Sequence, residues 1–144
     1  FGDRIELVGF NFQLPTSNLP RPAGASQGGQ SPSSNLHPGD EVATTLVWRA
    51  LAPVEADYTI TVQLVGPDRR VYGQHDAPPL AGSAPTSTWT PGEVLSDTYR
   101  FGLAADAPPG EYRLIVGVYL PATGGRLPTR DGDAVTLRHV TVIR

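Results

Sequence analysis

The stretch "DAPPGEYRLIVGVYL", Asp106 to Leu120, decides the fold. From Tyr112 onward it alternates strictly. Tyr112, Leu114, Val116 and Val118 fall on one side, and Arg113, Ile115, Gly117 and Tyr119 on the other. A period of two belongs to a β-strand, whose successive side chains point to opposite faces of a sheet. The second face is also fairly apolar, which suits a central strand covered on both sides.

Tyr112 follows a Pro-Pro-Gly turn, and its position is informative. In immunoglobulin-like sandwiches a tyrosine near the start of strand F turns its hydroxyl back to the main chain a few residues upstream, and the residue two places later enters the core. Asp106, Gly110, Tyr112 and Leu114 reproduce that arrangement, with Leu114 where antibody domains carry a cysteine. Tyr112 is therefore expected to be a fastener, its hydroxyl bonded within Leu103–Gly110. Trp48 is expected in the same core, although it lies on the second long strand and antibody domains place their core Trp on strand C.

Two further segments alternate as clearly. "EVATTLVWRA" aligns Val42, Thr44, Leu46 and Trp48, and "DYTITVQLVG" aligns Tyr58, Ile60, Val62 and Leu64. Weaker runs cover Arg4–Leu14, Arg70–Asp76, Val94–Leu103 and Ala134–Ile143. The reading is an all-β, immunoglobulin-like sandwich of two antiparallel sheets and about seven strands, with no amphipathic helix. Its predicted core is Trp48, Tyr58, Ile60, Val62, Leu64, Leu114, Val116 and Val118. Pro38-Gly39-Asp40, Pro91-Gly92-Glu93 and Pro109-Gly110-Glu111 each precede a strand and read as turns, because proline presets φ and glycine accepts a positive one.

The chain has 144 residues, 39% of them hydrophobic, which suits one domain spanning residues 1–144 with one core. The segment Pro15 to Gly39 stands apart, rich in Ser, Pro, Gly, Gln and Asn. It is too poor in aliphatics to offset its ordering entropy, so residues 15–38 are expected to form a mobile loop. The chain begins at Phe1 and has no Met, so it is expected to be a fragment of a longer protein. No run is long enough for a transmembrane helix.

Composition excludes several functions. A net charge of −3 and the lack of a basic face argue against nucleic acid. All 11 basic residues are Arg, so mechanisms that require lysine are absent. The absence of Cys removes disulfides, thiolate nucleophiles and Cys-ligated zinc.

Few motifs offer chemistry. "GASQG", Gly24 to Gly28, matches the G-x-S-x-G elbow around Ser26, but neither the strand before it nor the helix after it is present. His37, His75 and His139 share no ligand spacing. His75-Asp76 is a poor dyad, because neighbours on a strand face opposite ways. Asp131 and Asp133, with Asp40 or Asp57, offer oxygens to calcium, the one cofactor that these residues suggest, although Asp-Gly is equally a turn signal. Trp89, Tyr72 and Tyr119 are the candidates for stacking a sugar. For Trp89 the favoured expectation is a buried cap over the sheet edge, packed against Leu80 or Val94.

From Leu36 to Pro128 the chain resembles the β-sandwich domain appended to predicted multi-spanning glycosyltransferase-like membrane proteins of thermophilic bacteria. Thr86-Ser87-Thr88-Trp89-Thr90-Pro91-Gly92-Glu93 carries the most specific part of the likeness. The resemblance implies an extracytoplasmic accessory domain, tethered through a membrane segment elsewhere in its parent, and it brings no catalytic residues. The expected function is a non-catalytic module of a membrane-anchored or cell-surface protein. Its partners would be the parent membrane domain or a glycan. A carbohydrate-binding module using Trp89 is the alternative, and a hydrolase using Ser26 or a carboxylate is the distant one.

Overall fold

A computed structural model of the chain describes residues 1–13, 35–130 and 132–143. Two sheets face each other. One is β1 (Ile5–Gln13), β3 (Glu41–Ala50) and β6 (Val94–Gly102), in the order β1-β3-β6. The other takes β2 (Asn35–Leu36), β4 (Thr59–Val65), β5 (Val71–Ala77), β7 (Gly110–Tyr119) and β8 (Val135–Val142), in the order β2-β8-β7-β4-β5. The all-β sandwich expected from alternation is present, and its seven long strands coincide with the seven runs read from the sequence.

All long pairings are antiparallel. The orders β1-β3-β6 and β8-β7-β4-β5 correspond to strands A-B-E and G-F-C-C′ of an immunoglobulin-like domain. This settles the strand labels that Trp48 left open. Tyr112 lies on the F strand, and Trp48 lies on the B strand, in the sheet opposite the one used by antibody domains.

β7 is the middle strand of its sheet, with β4 and β8 on either side. That is why Ile115 and Gly117, on its outer face, are buried along with Leu114 and Val116 on its inner face. The core draws on both sheets, with Trp48, Ile60, Val62, Leu64, Leu114, Val116 and Val118 all at most 1% exposed. Tyr58, expected among them, is only partly buried and packs against the core from its end. The turns before β3 and β6 place Gly39 and Gly92 at φ 91°, a region open to glycine and costly for other residues.

One boundary needs correction. The predicted loop was drawn through residue 38, but Asn35–Leu36 pairs in parallel with Thr141–Val142. Leu36 is fully buried, and the Ile143 amide donates to its carbonyl at 2.8 Å. A single leucine in a polar tract anchors the strand. The rest of that loop, including Ser26, lies outside the described residues.

Candidate functional site

The Tyr112 hydroxyl donates to the Pro108 carbonyl at 2.6 Å, inside the predicted window. Its ring is fully buried and meets the Tyr72 ring edge-on at 5.7 Å. Burial, reinforced by Tyr72 and Asp68, pushes the Tyr112 hydroxyl up to about 12. Tyr72 is half-buried and donates to the Asp68 carboxylate, which that bond holds below its usual range. A Cβ at Gly66 would come 2.9 Å from the Tyr72 ring, so this ring is packed down on the β4–β5 turn. Both tyrosines hold the fold together at the same end of the sandwich.

Trp89 closes another margin. Its indole is 4% exposed, and its N–H donates to the Ala84 carbonyl at 2.9 Å. The ring is not available as a flat sugar platform, which corrects Trp89 as a ligand-binding candidate. Of its expected neighbours, Val94 is itself 55% exposed. Thr86, given no structural role in the sequence reading, ties this crossover to the segment before β4. Its buried hydroxyl donates to Ala56 at 2.6 Å and accepts the Tyr58 amide at 2.9 Å.

The acids and histidines are largely engaged in local structure. Asp40 accepts the His37 amide, and Asp57 accepts the Ser87 amide. Asp131, half of the Asp131–Asp133 calcium pair, lies outside the described residues. Among the described residues no three His, Asp or Glu side chains gather to hold a metal. His75 and Asp76 diverge as expected. The His75 ring packs edge-on against Tyr99 with its Nδ1 2.8 Å from the Arg100 carbonyl, and Asp76 faces outward. His139 is exposed on β8.

Polar residues do converge on the outer face of the five-stranded sheet. Asp76 accepts the Thr61 hydroxyl at 2.7 Å and the Tyr119 hydroxyl at 2.9 Å. Burial and the Asp76 carboxylate raise the Tyr119 hydroxyl above its ordinary range. Beside them lies a depression of about 430 Å³ lined by Arg113, Ile115, Arg126, Asp133 and Thr136. Neither arginine was singled out in the sequence. The available signal was Gly117, a gap in an otherwise bulky run. A smaller depression, of about 210 Å³, lies among Arg4, Val54, Glu55 and Tyr58, where Arg4 already donates to the Pro53 carbonyl at 2.7 Å.

No family model and no curated protein matches the chain. Solved structures do resemble it. The C-terminal domain of wzt superposes with a TM-score of 0.54 at 10% identity, over 97% of this chain and 74% of that one. The CARDB domain of a Pyrococcus furiosus protein, in complex with di-metal ions, gives 0.45 at 12% identity over 98% and 90%. A beta-glucosidase from Listeria innocua gives 0.42 at 14% identity, over 92% of this chain and 16% of the enzyme. At these identities the wzt likeness establishes a shared β-domain fold and nothing more.

Proposed function

We propose that the chain is a non-catalytic, extracytoplasmic β-sandwich module of a membrane-anchored or cell-surface protein. The observation that carries the reading of a β-sandwich module is the fold likeness to the C-terminal domain of wzt over 97% of this chain. The local chemistry agrees. Asp40, Asp57, Asp68 and Asp76 all accept hydrogen bonds within the fold. What supports the location is the resemblance of Leu36–Pro128 to domains appended to multi-spanning membrane proteins. In that reading the first partner is the membrane part of the parent protein.

Two measurements test it. An antibody against the domain should stain intact source cells as strongly as permeabilised ones, and staining only after permeabilisation would place the domain in the cytoplasm. The purified chain should also hydrolyse no chromogenic glycoside or ester above background. Turnover that survives repurification would make it an enzyme.

A further inference from the structure

The depression on the outer face sits between β7, β8 and the 120–134 excursion that joins them. The excursion opens as a tight hairpin that extends β7. Leu120 donates to Gly125 at 2.9 Å and Leu127 donates to Val118 at 2.8 Å, which sets Arg126 opposite Tyr119. Gly117 lies beneath Arg126, at the side of the depression. A Cβ there would lie 3.3 Å from the Arg126 Nη1 and 3.4 Å from the Thr61 Cγ2, so the missing side chain is the space that lets the guanidinium lie on the sheet.

The charges on this face are unevenly matched. Outside the lining of the depression, Asp76 accepts the Thr61 and Tyr119 hydroxyls, and Glu111 accepts the Thr141 hydroxyl. Among the described residues the ion pairs are His37–Asp40 and Arg49–Glu6, and neither Arg113 nor Arg126 has a carboxylate partner. Two permanently charged guanidinium groups thus line a depression to which Asp133 alone contributes an acid. Arginine's planar fork matches an oxyanion with paired hydrogen bonds.

The surroundings select among anionic partners. A peptide added as a strand pairs along a sheet edge, whereas this depression lies on the sheet face over β7 and β8. A docking helix needs an apolar groove, but the one large aliphatic here is Ile115, only 9% exposed. A polynucleotide is disfavoured by the net charge of −3. A small polyol bearing a carboxylate fits, because Thr136 and Asp133 can serve its hydroxyls while the arginines hold its charge. We propose that this depression binds the carboxylate of an acidic saccharide, clamped by Arg113 and Arg126 over Gly117. The proposal stands independently of the cellular location proposed above.

The test uses the purified chain and three probes: trigalacturonate, neutral maltotriose and inorganic phosphate. Trigalacturonate should bind saturably, shift the amide resonances of Arg113, Gly117, Arg126 and Thr136, and weaken as salt is raised. Arg113→Gln and Arg126→Gln should each weaken binding by about tenfold. Arg100→Gln, on the other sheet, should leave it unchanged. Gly117→Ala keeps both arginines and displaces one, so it should also weaken binding, and it provides a second route if a glutamine variant fails to fold. Equal binding of maltotriose, phosphate binding as tight as the saccharide, or no saturable binding of trigalacturonate would each overturn the proposal. So would trigalacturonate affinity that all three substitutions leave intact.

Discussion

Tyr112 and Tyr99 show how two buried hydroxyls with the same chemistry differ in value. Tyr112 donates to Pro108, whereas the hydroxyl of Tyr99, 1% exposed, lies near the Asp97 carboxylate and the Trp48 indole but makes no well-aligned hydrogen bond to either. A net hydrogen bond contributes about 1 kcal/mol, while an unmatched buried polar group carries a desolvation cost. Tyr112→Phe should therefore lower stability by about 1 kcal/mol in urea unfolding. Tyr99→Phe should leave stability unchanged or raise it. Equal losses in the two variants would show that the corner bond adds nothing beyond ring packing. Trp89 is the second test at this scale. Removing its buried indole should cost about 3–5 kcal/mol, the range for a large core aromatic. A Trp89→Ala variant with the parental unfolding midpoint would show that the margin is closed by something else.

At the scale of elements, the smallest strand is the most instructive. Asn35–Leu36 has only two residues, yet Leu36 reaches the core and its main chain pairs with the end of β8. Leu36→Ala should destabilise the domain by about 2–5 kcal/mol, as leucine truncation in a packed core does. A loss below about 0.5 kcal/mol, the scale of an ordinary surface substitution, would show that the strand is only resting against β8. The sequence concealed this element for a physical reason. Two residues are too few to display a period, and their neighbours have the composition of a solvated linker. The seven long strands were legible because each has enough residues for alternation to show. The central place of β7 was legible too, from Ile115 and Gly117 on its outer face. The Arg113–Arg126 depression was not, because the two arginines belong to different elements that meet only through the hairpin after Tyr119.

For the whole molecule, the tyrosines predict an alkaline limit. Tyr72, Tyr99, Tyr112 and Tyr119 all hold their protons more tightly in the folded chain than the ordinary tyrosine value, Tyr112 to about 12. In the unfolded chain they ionise near pH 10, roughly the free tyrosine value. Between these limits the unfolded state binds fewer protons, so stability falls as pH rises. It should be flat with respect to the tyrosines below about pH 10 and decline toward about 12. Tyr112→Phe should make the decline shallower. Urea midpoints measured across the alkaline range check this, and a midpoint that rises with pH there would contradict it. Trp48 and Trp89 belong to one core, so indole fluorescence and far-ultraviolet circular dichroism should also report a single coincident transition. Separate midpoints would show that the Trp89 crossover unfolds apart from the sheets.

The sequence by itself determined the fold class, seven strand positions, the inward faces and the Tyr112 fastener. All of these follow from local periodicity and from a motif whose parts lie within a few residues of one another. Only the tertiary structure decided that the Trp89 N–H is tied to Ala84, that Leu36 belongs to the core and that Arg126 lies across Gly117. Each depends on which segments meet after the two sheets close, and the distances involved are unrelated to separation along the chain. Alternation reports which way a side chain points. Packing determines what it meets.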